Sequence, residues 1–370
     1  MKRFIGLLVG LVLYVGGFAQ TVIEGHGELY VLYNEDGSVR ILAEDVGGGV
    51  LDTTFVRLPA DLRLHYYAAG ENTNVDFEFA LHDRIKHPWR QSKPEKTLVV
   101  SDLHGRLDAF TAILKSQGVV DENLQWSYGK NQLIFLGDIL DRGRDDNGIA
   151  WLLYKLEKEA EEAGGRVDFL LGNHEDLVLK DDLRYVHEGH FLFSTLAGVP
   201  YAELYGGNTE LGRWIRDSYI ILVVGDNLFV HAGLSPDMIA KSYKIGEMNE
   251  LAARFVGYPT ALRKGMHLRN ELFFGNDGPF WFRGMSRDEE NYKPVSGENM
   301  ERILKYYGAR RVIVGHSEVD EVGPRYDGRV ITVNVPHYDN FPVNRTAGLL
   351  IEGDRLYTVN YTGEKFLLAE

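Results

Sequence analysis

Residues 133–143 read Leu-Ile-Phe-Leu-Gly-Asp-Ile-Leu-Asp-Arg-Gly, an apolar run that ends in two carboxylates and a guanidinium. The run is too short for most helices and is typical of a buried strand with charges at its C-terminal end. An ionised carboxylate in such a place is costly unless it is paired or bound to a metal ion. Asp138 therefore needs a partner, and other strand ends of the sequence are predicted to supply it.

Four further apolar runs end at a glycine or turn signal followed by polar side chains, and helical stretches separate several of them. This alternation is typical of a layered α/β domain, in which ligands bind at the carboxyl ends of the strands. Since so many strand ends carry the same side-chain types, we predict that they form one metal site. The candidate ligands are Asp102, His104, Asp138, Asn173, His231 and His316.

The donor types of this set are carboxylate, imidazole and amide oxygen, without sulfur. They suit two hard-to-borderline divalent ions, and the choice among Mn, Fe and Zn stays open. We expect Asp138 to bridge the two ions at about 3.5–4 Å, a spacing that lowers the pKa of a bridging water and supplies hydroxide.

Four further side chains are candidates for the chemistry around the metal site. Asp141 and His174 form a pair suited to proton donation, and Arg142 and Arg283 are suited to bidentate phosphate binding. Arg184 is a further candidate for binding phosphate from the cap, with an ion pair on a helix face as the alternative.

Composition limits the classes of function. With 370 residues and 44% apolar side chains, the chain is long enough for one large or two ordinary domains with a sizeable core. Its 40 basic and 54 acidic residues give a net charge of −14, which argues against a nucleic-acid backbone or an anionic membrane as partner. The absence of cysteine excludes disulfides, thiolate metal sites and cysteine nucleophiles.

The first residues are typical of a secretory signal peptide. Met1-Lys2-Arg3 precede an apolar run over residues 4–15, and Gly17 and Ala19 occupy the small-residue positions before a cleavage site. A membrane anchor is the alternative, but the run is short for a span of about 20 residues. We expect cleavage after Ala19 and an exported protein, periplasmic or secreted, without a membrane anchor.

The sequence divides into three parts. Residues 1–19 form the predicted signal peptide, and residues 20–95 a small β-rich module whose clearest feature is a hairpin around the turn at residues 34–37. Further strands of this module are expected over residues 57–67 and 75–81. Residues 96–370 form the predicted catalytic domain, with a helical cap inserted at residues 181–217.

The motifs at the strand ends resemble the signature blocks of the calcineurin-like metallophosphoesterases. The blocks are Ser-Asp-Leu-His-Gly at 101–105, Gly-Asp-Ile-Leu-Asp-Arg-Gly at 137–143, Gly-Asn-His-Glu at 172–175, His-Ala-Gly at 231–233 and Gly-His at 315–316. Their form resembles the phosphoprotein phosphatase branch, and residues 182–186 and 278–284 are similar to the bacterial Shewanella-like phosphatases. The likeness covers about residues 96–319 and implies an α/β/β/α sandwich of two mixed sheets.

The resemblance also implies individual roles. Asp102, His104 and Asp138 are implied to hold one metal ion, and Asp138, Asn173, His231 and His316 the other. Arg142 and Arg283 are implied to bind phosphate oxygens, while His174, oriented by Asp141, protonates the leaving group. Two features depart from the pattern, namely Ser101 in place of glycine and the stretch at residues 330–340. His337 and Tyr338 in that stretch are candidates for lining the substrate pocket, with an ordinary loop as the alternative.

These observations predict an exported, metal-dependent phosphatase. It is expected to hydrolyse phosphomonoesters, either phosphoproteins or small phosphate esters, by direct attack of hydroxide bound to a dinuclear metal centre. One alternative is a nucleotide, dinucleoside polyphosphate or phosphodiester hydrolase on the same core, and another is a binding protein with a vestigial catalytic core. The sequence leaves the physiological substrate and the oligomeric state open.

Overall fold

The computed structural model describes residues 13–15, 18–69 and 74–369, and the predicted signal peptide lies largely outside them. Two six-stranded sheets form the predicted sandwich. In spatial order, the first contains β12 (Arg166–Phe169), β11 (Gln132–Phe135), β10 (Lys96–Val100), β18 (Thr346–Glu352), β19 (Arg355–Asn360) and β20 (Lys365–Ala369). The second contains β16 (Gly323–Arg325), β17 (Val330–Thr332), β15 (Arg311–Val314), β14 (Asn227–Val230), β13 (Ile221–Val224) and β9 (Arg90–Gln91).

Both sheets are mixed, and their inner faces share one apolar core. Val99 and Ile134 from the first sheet are fully buried in the same cluster as Phe229 and Ile313 from the second. Strands β10, β11 and β12 run parallel, as do β14 and β15. The carboxyl ends of each parallel set therefore lie at one edge of its sheet.

The N-terminal module contains two three-stranded sheets. One consists of β3 (Val22–His26), β7 (Arg63–Ala69) and β8 (Asn74–Phe79), and the other of β4 (Leu29–Tyr33), β5 (Val39–Glu44) and β6 (Val50–Phe55). A short hairpin of β1 (Leu13–Val15) and β2 (Phe18–Gln20) precedes them. The antiparallel pairing of β4 with β5 confirms the predicted hairpin.

Three features of this region differ from expectation. Strand β6 was not predicted, because its side chains alternate between half-buried and exposed and give a weak apolar signal. The strand expected over residues 57–67 begins only at Arg63. Strand β9 precedes the expected boundary at residue 95 but pairs with β13 in the catalytic sandwich.

Twelve helices are present in the described part of the chain. They are α1 (Leu107–Ser116), α2 (Asp146–Ala163), α3 (Asn173–Leu179), α4 (Glu188–Ala197), α5 (Tyr201–Leu204), α6 (Glu210–Arg216), α7 (Pro236–Ala240), α8 (Ile245–Phe255), α9 (Thr260–Met266), α10 (Asn270–Phe273), α11 (Gly297–Tyr307) and α12 (His337–Asn340), with 3-10 turns at Glu290–Tyr292 and Phe341–Val343. Helices α4 to α6 occupy the expected cap at residues 181–217. Within the described part of the chain, no helix combines the length and apolarity needed to span a bilayer.

Candidate active site

The predicted side chains meet where the strand ends of the two sheets converge. Asp102 and His104 follow β10, Asp138 follows β11, and Asn173 begins α3 after β12. The ends of β14 and β15 in the other sheet carry the remaining two ligands, His231 and His316. All six side chains are buried. The structure therefore places one or two of the predicted polar side chains directly after each of these strands.

The backbone at this edge is unusual. Asp102, His104, Asp138, Asp141, Arg142 and His316 all have φ between 44° and 72°. A side chain other than glycine in this left-handed region costs roughly 1–2 kcal/mol, and such residues persist where surrounding contacts hold them. Strained positions of this kind concentrate at functional sites, so the backbone marks the same residues as the side-chain chemistry.

Asp138 lies at the centre of the cluster. His104, Asp138 and His174 form one group of potential ligand atoms within 4.8 Å of one another, and Asp138, His231 and His316 form a second. The Oδ2 atom of Asp138 lies 3.8 Å from His104 Nε2 and 3.3 Å from His231 Nε2. Because both groups share Asp138, the geometry fits a carboxylate that contacts two cations.

The histidines present their Nε2 atoms to this centre. Nδ1 of His104 donates to the Leu140 carbonyl at 2.8 Å, and Nδ1 of His231 lies 2.6 Å from the Leu136 carbonyl. Such bonds fix the tautomer that leaves Nε2 as the metal-binding atom. Nε2 of His316 is buried without a hydrogen-bond partner. A bare buried nitrogen beside a buried carboxylate fits a site for divalent cations.

Asp102 is held differently from the other candidate ligands. Its Oδ1 accepts a hydrogen bond from the His316 backbone N–H at 3.0 Å and another from the Ser101 hydroxyl. Its Oδ2 accepts a hydrogen bond from Asn334 Nδ2 at 2.8 Å. Ser101, the departure from the family pattern, thus contacts a candidate ligand directly.

Asp141 and His174 form the expected pair. Nδ1 of His174 lies 2.6 Å from Asp141 Oδ2, and both side chains are buried. Burial alone lowers the pKa of His174, but the carboxylates of Asp138 and Asp141 raise it above its ordinary value. The protonated imidazole suits an acid, whereas a metal ligand must be neutral. His174 also belongs to the first ligand group, so the geometry permits either role.

The predicted arginines differ in their surroundings. Nη2 of Arg142 lies 3.5 Å from His174 Nε2, and Nη1 of Arg283 lies 3.3 Å from the His316 carbonyl oxygen. Both therefore adjoin the cluster. Arg184 is paired at both arms with Asp182, at 2.7 and 2.8 Å, and its side chain is 65% exposed. The structure thus shows an ion pair of Arg184, but in the turn between α3 and α4 and not on the helix face that was the alternative.

A cavity of about 290 Å³ opens beside the cluster and is lined by Asp102, His104 and Arg142 together with His337 and Tyr338. His337 is buried, donates from Nε2 to the Ser101 carbonyl at 2.9 Å, and accepts from the Tyr361 hydroxyl at 2.8 Å. Tyr338 is 75% exposed. His337 therefore anchors this wall of the cavity, while the exposed Tyr338 ring lies 4.9 Å from the Arg106 guanidinium.

A family profile described as calcineurin-like phosphoesterase matches residues 95–320. The chain belongs to this family. The family implies divalent metal ions, which the donor set described above fits. With its phosphatase relatives, this membership identifies the chain as a hydrolase of phosphoesters.

This phosphoesterase is similar to Shewanella-like protein phosphatase 2 of Arabidopsis thaliana, with 27% identity over 275 residues that cover 62% of this chain and 68% of the relative. It is also similar to Shewanella-like protein phosphatase 1 of Plasmodium berghei, with 27% identity over 60% of this chain and 61% of that protein. The crystal structure of a cold-active protein-tyrosine phosphatase from a psychrophilic Shewanella species superimposes with a TM-score of 0.79 and 28% identity, over 92% of this chain and 99% of that one. The structural likeness therefore extends beyond residues 96–319, where the sequence motifs lie.

Two residues of the phosphoesterase site were given no role from sequence. Glu175 is fully buried and accepts backbone N–H bonds from Asp138, Ile139 and Gly172 at 2.7–2.9 Å, which fixes the loop after β11. Asn334 holds Asp102 from a loop more than two hundred positions away. Glu175 could have been identified from sequence, because it lies in the motif at residues 172–175. For Asn334 the only sequence signal is its position shortly after strand β17.

Proposed function

We propose that this protein is a metal-dependent phosphomonoesterase in which Asp138 would be a ligand common to two divalent ions. The observation that carries the proposal is the pair of ligand groups that meet at this one carboxylate, with the Asp141–His174 pair and Arg142 beside it. Asp102, His104 and Asp138 would hold one ion, and Asp138, Asn173, His231 and His316 the other. When bound, the ions supply an activated water and positive charge for the phosphate oxygens.

The side chains of the protein perform the remaining tasks. Arg142 and Arg283 reach the cluster from two sides and are suited to bind the phosphate oxygens that do not react. His174 carries a proton on Nε2 and donates it to the leaving oxygen, while Asp141 holds the ring by its Nδ1 atom. Water attacks phosphorus directly, so no covalent enzyme intermediate forms.

The substrate class is proposed to be phosphorylated protein, with phosphotyrosine included. Support comes from the structural likeness to a protein-tyrosine phosphatase and from the exposed ring of Tyr338 at the cavity wall. The proposal also places the enzyme outside the cytoplasm, on the strength of residues 1–19. Mass spectrometry of the protein from fractionated cells tests this placement, since cleavage after Ala19 leaves Gln20 as the first residue.

The proposal is tested with a substrate panel on metal-stripped protein reconstituted with Mn, Fe or Zn. The panel contains p-nitrophenyl phosphate, phosphotyrosine and phosphoserine peptides, and a dinucleoside tetraphosphate, with elemental analysis of the protein as purified. We expect turnover of the monoesters only with metal, at about two ions per chain. Cleavage of the dinucleoside tetraphosphate without monoesterase activity would instead establish the alternative hydrolase.

A further inference from the structure

A buried ionic cluster connects the N-terminal module to the loop that carries Asp141. It consists of Glu28 between β3 and β4, Arg144 in the loop after Asp141, Asp146 at the start of α2, and His190 in α4 of the cap. Glu28, Asp146 and His190 are fully buried. We call these four residues the junction cluster. None of them belongs to the metal site or touches its ligands in the contacts described above.

Glu28 is the member contributed by the module. Its Oε1 lies 2.6 Å from Arg144 Nη1 and 2.5 Å from His190 Nδ1, and its Oε2 accepts from the Tyr30 hydroxyl at 2.7 Å. The second arm of Arg144 binds Glu44 of β5 at 2.6 Å. The module thus supplies two carboxylates to partners in the catalytic domain.

His190 contacts Asp146 as well as Glu28. Its Nε2 lies 3.1 Å from Asp146 Oδ1 and 3.4 Å from the Gly143 carbonyl oxygen. Each ring nitrogen therefore faces a carboxylate, an arrangement that favours a proton on both. Burial alone lowers the pKa of His190, but Asp146 and Glu28 raise it well above its ordinary value. A cationic His190 offsets the two buried carboxylates on either side of it.

Asp146 completes the path to the active site. Its Oδ2 accepts a hydrogen bond from the Asp141 backbone N–H at 3.1 Å. Asp141 has φ of 72° and Arg142 has φ of 69°, so this loop needs support from outside. The cap supplies a second support, because the Arg142 N–H donates to the Tyr185 carbonyl at 2.8 Å. The Asp141 side chain in turn holds His174.

We propose that Glu28, His190 and Asp146 are positioning residues for the Asp141–His174 acid, which makes the N-terminal module a working part of the active site. The inference rests on the proposed function, in which His174 protonates the leaving group. Hydrolysis of an ester with a basic leaving oxygen depends most on proton transfer from the acid. A displacement of the acid by a fraction of an ångström therefore slows the hydrolysis of such esters most. A change at Glu28 therefore lowers kcat more for esters of poor leaving groups than for esters of good ones.

The test compares Glu28→Gln with Glu210→Gln on phenyl phosphate and p-nitrophenyl phosphate. Glu210 is a matched control, because it also joins the module to the catalytic domain, through the hydroxyls of Tyr33 and Tyr154 at 2.6 and 2.8 Å, but does not lead to Asp141. For Glu28→Gln we expect the ratio of kcat for phenyl phosphate to kcat for p-nitrophenyl phosphate to fall about 10- to 100-fold. For Glu210→Gln the ratio stays at the wild-type value.

An equal loss on both esters in Glu28→Gln, or the same change of ratio in Glu210→Gln, would overturn the proposal, because either result indicates a general loss of structure. Should Glu28→Gln fail to fold, Tyr30→Phe removes only one hydrogen bond to Glu28, and we expect the same direction of change with a smaller size.

A second measurement is independent of turnover and separates this inference from the proposed function. Histidine ring nitrogens are followed by NMR in metal-free protein labelled with ¹⁵N-histidine. A shift of the His174 Nδ1 resonance in Glu28→Gln, absent in Glu210→Gln, supports the coupling even if the wild-type protein hydrolyses neither ester. An unshifted resonance overturns it even if the protein is a phosphatase.

Discussion

At the scale of single residues, Asp138 is the side chain on which the proposed chemistry depends. It is fully buried, and burial alone raises its pKa, but His231 and His174 hold that pKa well below its ordinary value. The carboxylate is therefore ionised, as its proposed role as a ligand of two cations requires. We expect Asp138→Asn to lower metal-dependent kcat to on the order of 1% of wild type, because an amide is a weaker bridge between cations. Steady-state kinetics with p-nitrophenyl phosphate measure this, and a folded variant that keeps a tenth of wild-type kcat would contradict the shared-ligand assignment.

His174 is the residue for which the geometry permits two roles. It lies in a ligand group with His104 and Asp138, yet its Nδ1 is bound by Asp141. We expect His174→Ala to keep the wild-type metal content while kcat falls about 10²- to 10⁴-fold, the range for a lost general acid. Elemental analysis beside kinetics decides the matter. Loss of about one ion per chain would make His174 a ligand instead.

At the scale of secondary-structure elements, the loop after β11 is held by one carboxylate. Glu175 accepts N–H bonds from Asp138, Ile139 and Gly172, and a glutamine offers a single acceptor oxygen in its place. We expect Glu175→Gln to lower metal affinity about 10- to 100-fold, as for other residues that orient ligands. Isothermal titration calorimetry with the metal ion measures the change in affinity.

Glu157→Gln is the control for this prediction. Glu157 is a buried carboxylate of α2 that accepts hydrogen bonds from Arg84 and Trp214, away from the metal ligands. A similar loss of affinity in both variants would show that general destabilisation, and not the loop after β11, weakens metal binding.

Helix α12, which begins at His337, gives a prediction for pH. Burial lowers the pKa of His337 from 6.5 to about 4. Between these values the unfolded chain binds a proton that the folded chain does not, so stability falls as pH decreases from 6.5 towards 4. At pH 5 the loss is about 2 kcal/mol relative to pH 7. Denaturant unfolding at pH 7 and pH 5 measures this loss. Between the two pH values, the free energy of unfolding should fall by about 2 kcal/mol more in the wild-type protein than in His337→Gln. Equal losses would show that His337 does not titrate in this window.

Elements could be predicted from sequence where the signal is local. The strand before Asp138 was recognisable because its apolar run, glycine and charges are contiguous. The strand before His316 is likewise followed by Gly315, and the strand before Asp102 by Ser101. Strand β6 lacked such a signal, since it is half-exposed along its length. The contact of Glu28 with His190 joins residues 162 positions apart, and neither stands in a motif. Side chains that hold a site from a distance become visible only when the chain is folded.

At the scale of the whole molecule, the expected division near residue 95 does not separate two cores. Leu29, Tyr66 and Phe79 of the module belong to the same buried apolar cluster as Trp151 of α2. The Trp151 indole donates to the Leu29 carbonyl at 2.8 Å, and its ring lies 4.9 Å from that of Phe79. One continuous core predicts cooperative behaviour of the module and the catalytic domain.

We therefore expect the full chain to unfold in one transition. We also expect that a fragment of residues 90–370 does not fold to a stable native state. Removing the module exposes the face of α2 that carries Trp151 and leaves Asn147 without the Leu29 backbone groups it binds at 3.1 and 3.2 Å. A large apolar side chain such as that of Trp151 loses about 1.5–3 kcal/mol of stabilisation when it is left exposed, against a total stability of about 5–15 kcal/mol. Calorimetry of the full chain and near-ultraviolet circular dichroism of the fragment measure both expectations. Two separate transitions, or a fragment with native dichroism and full metal content, would show instead that the module is an independent domain attached to a self-sufficient phosphoesterase.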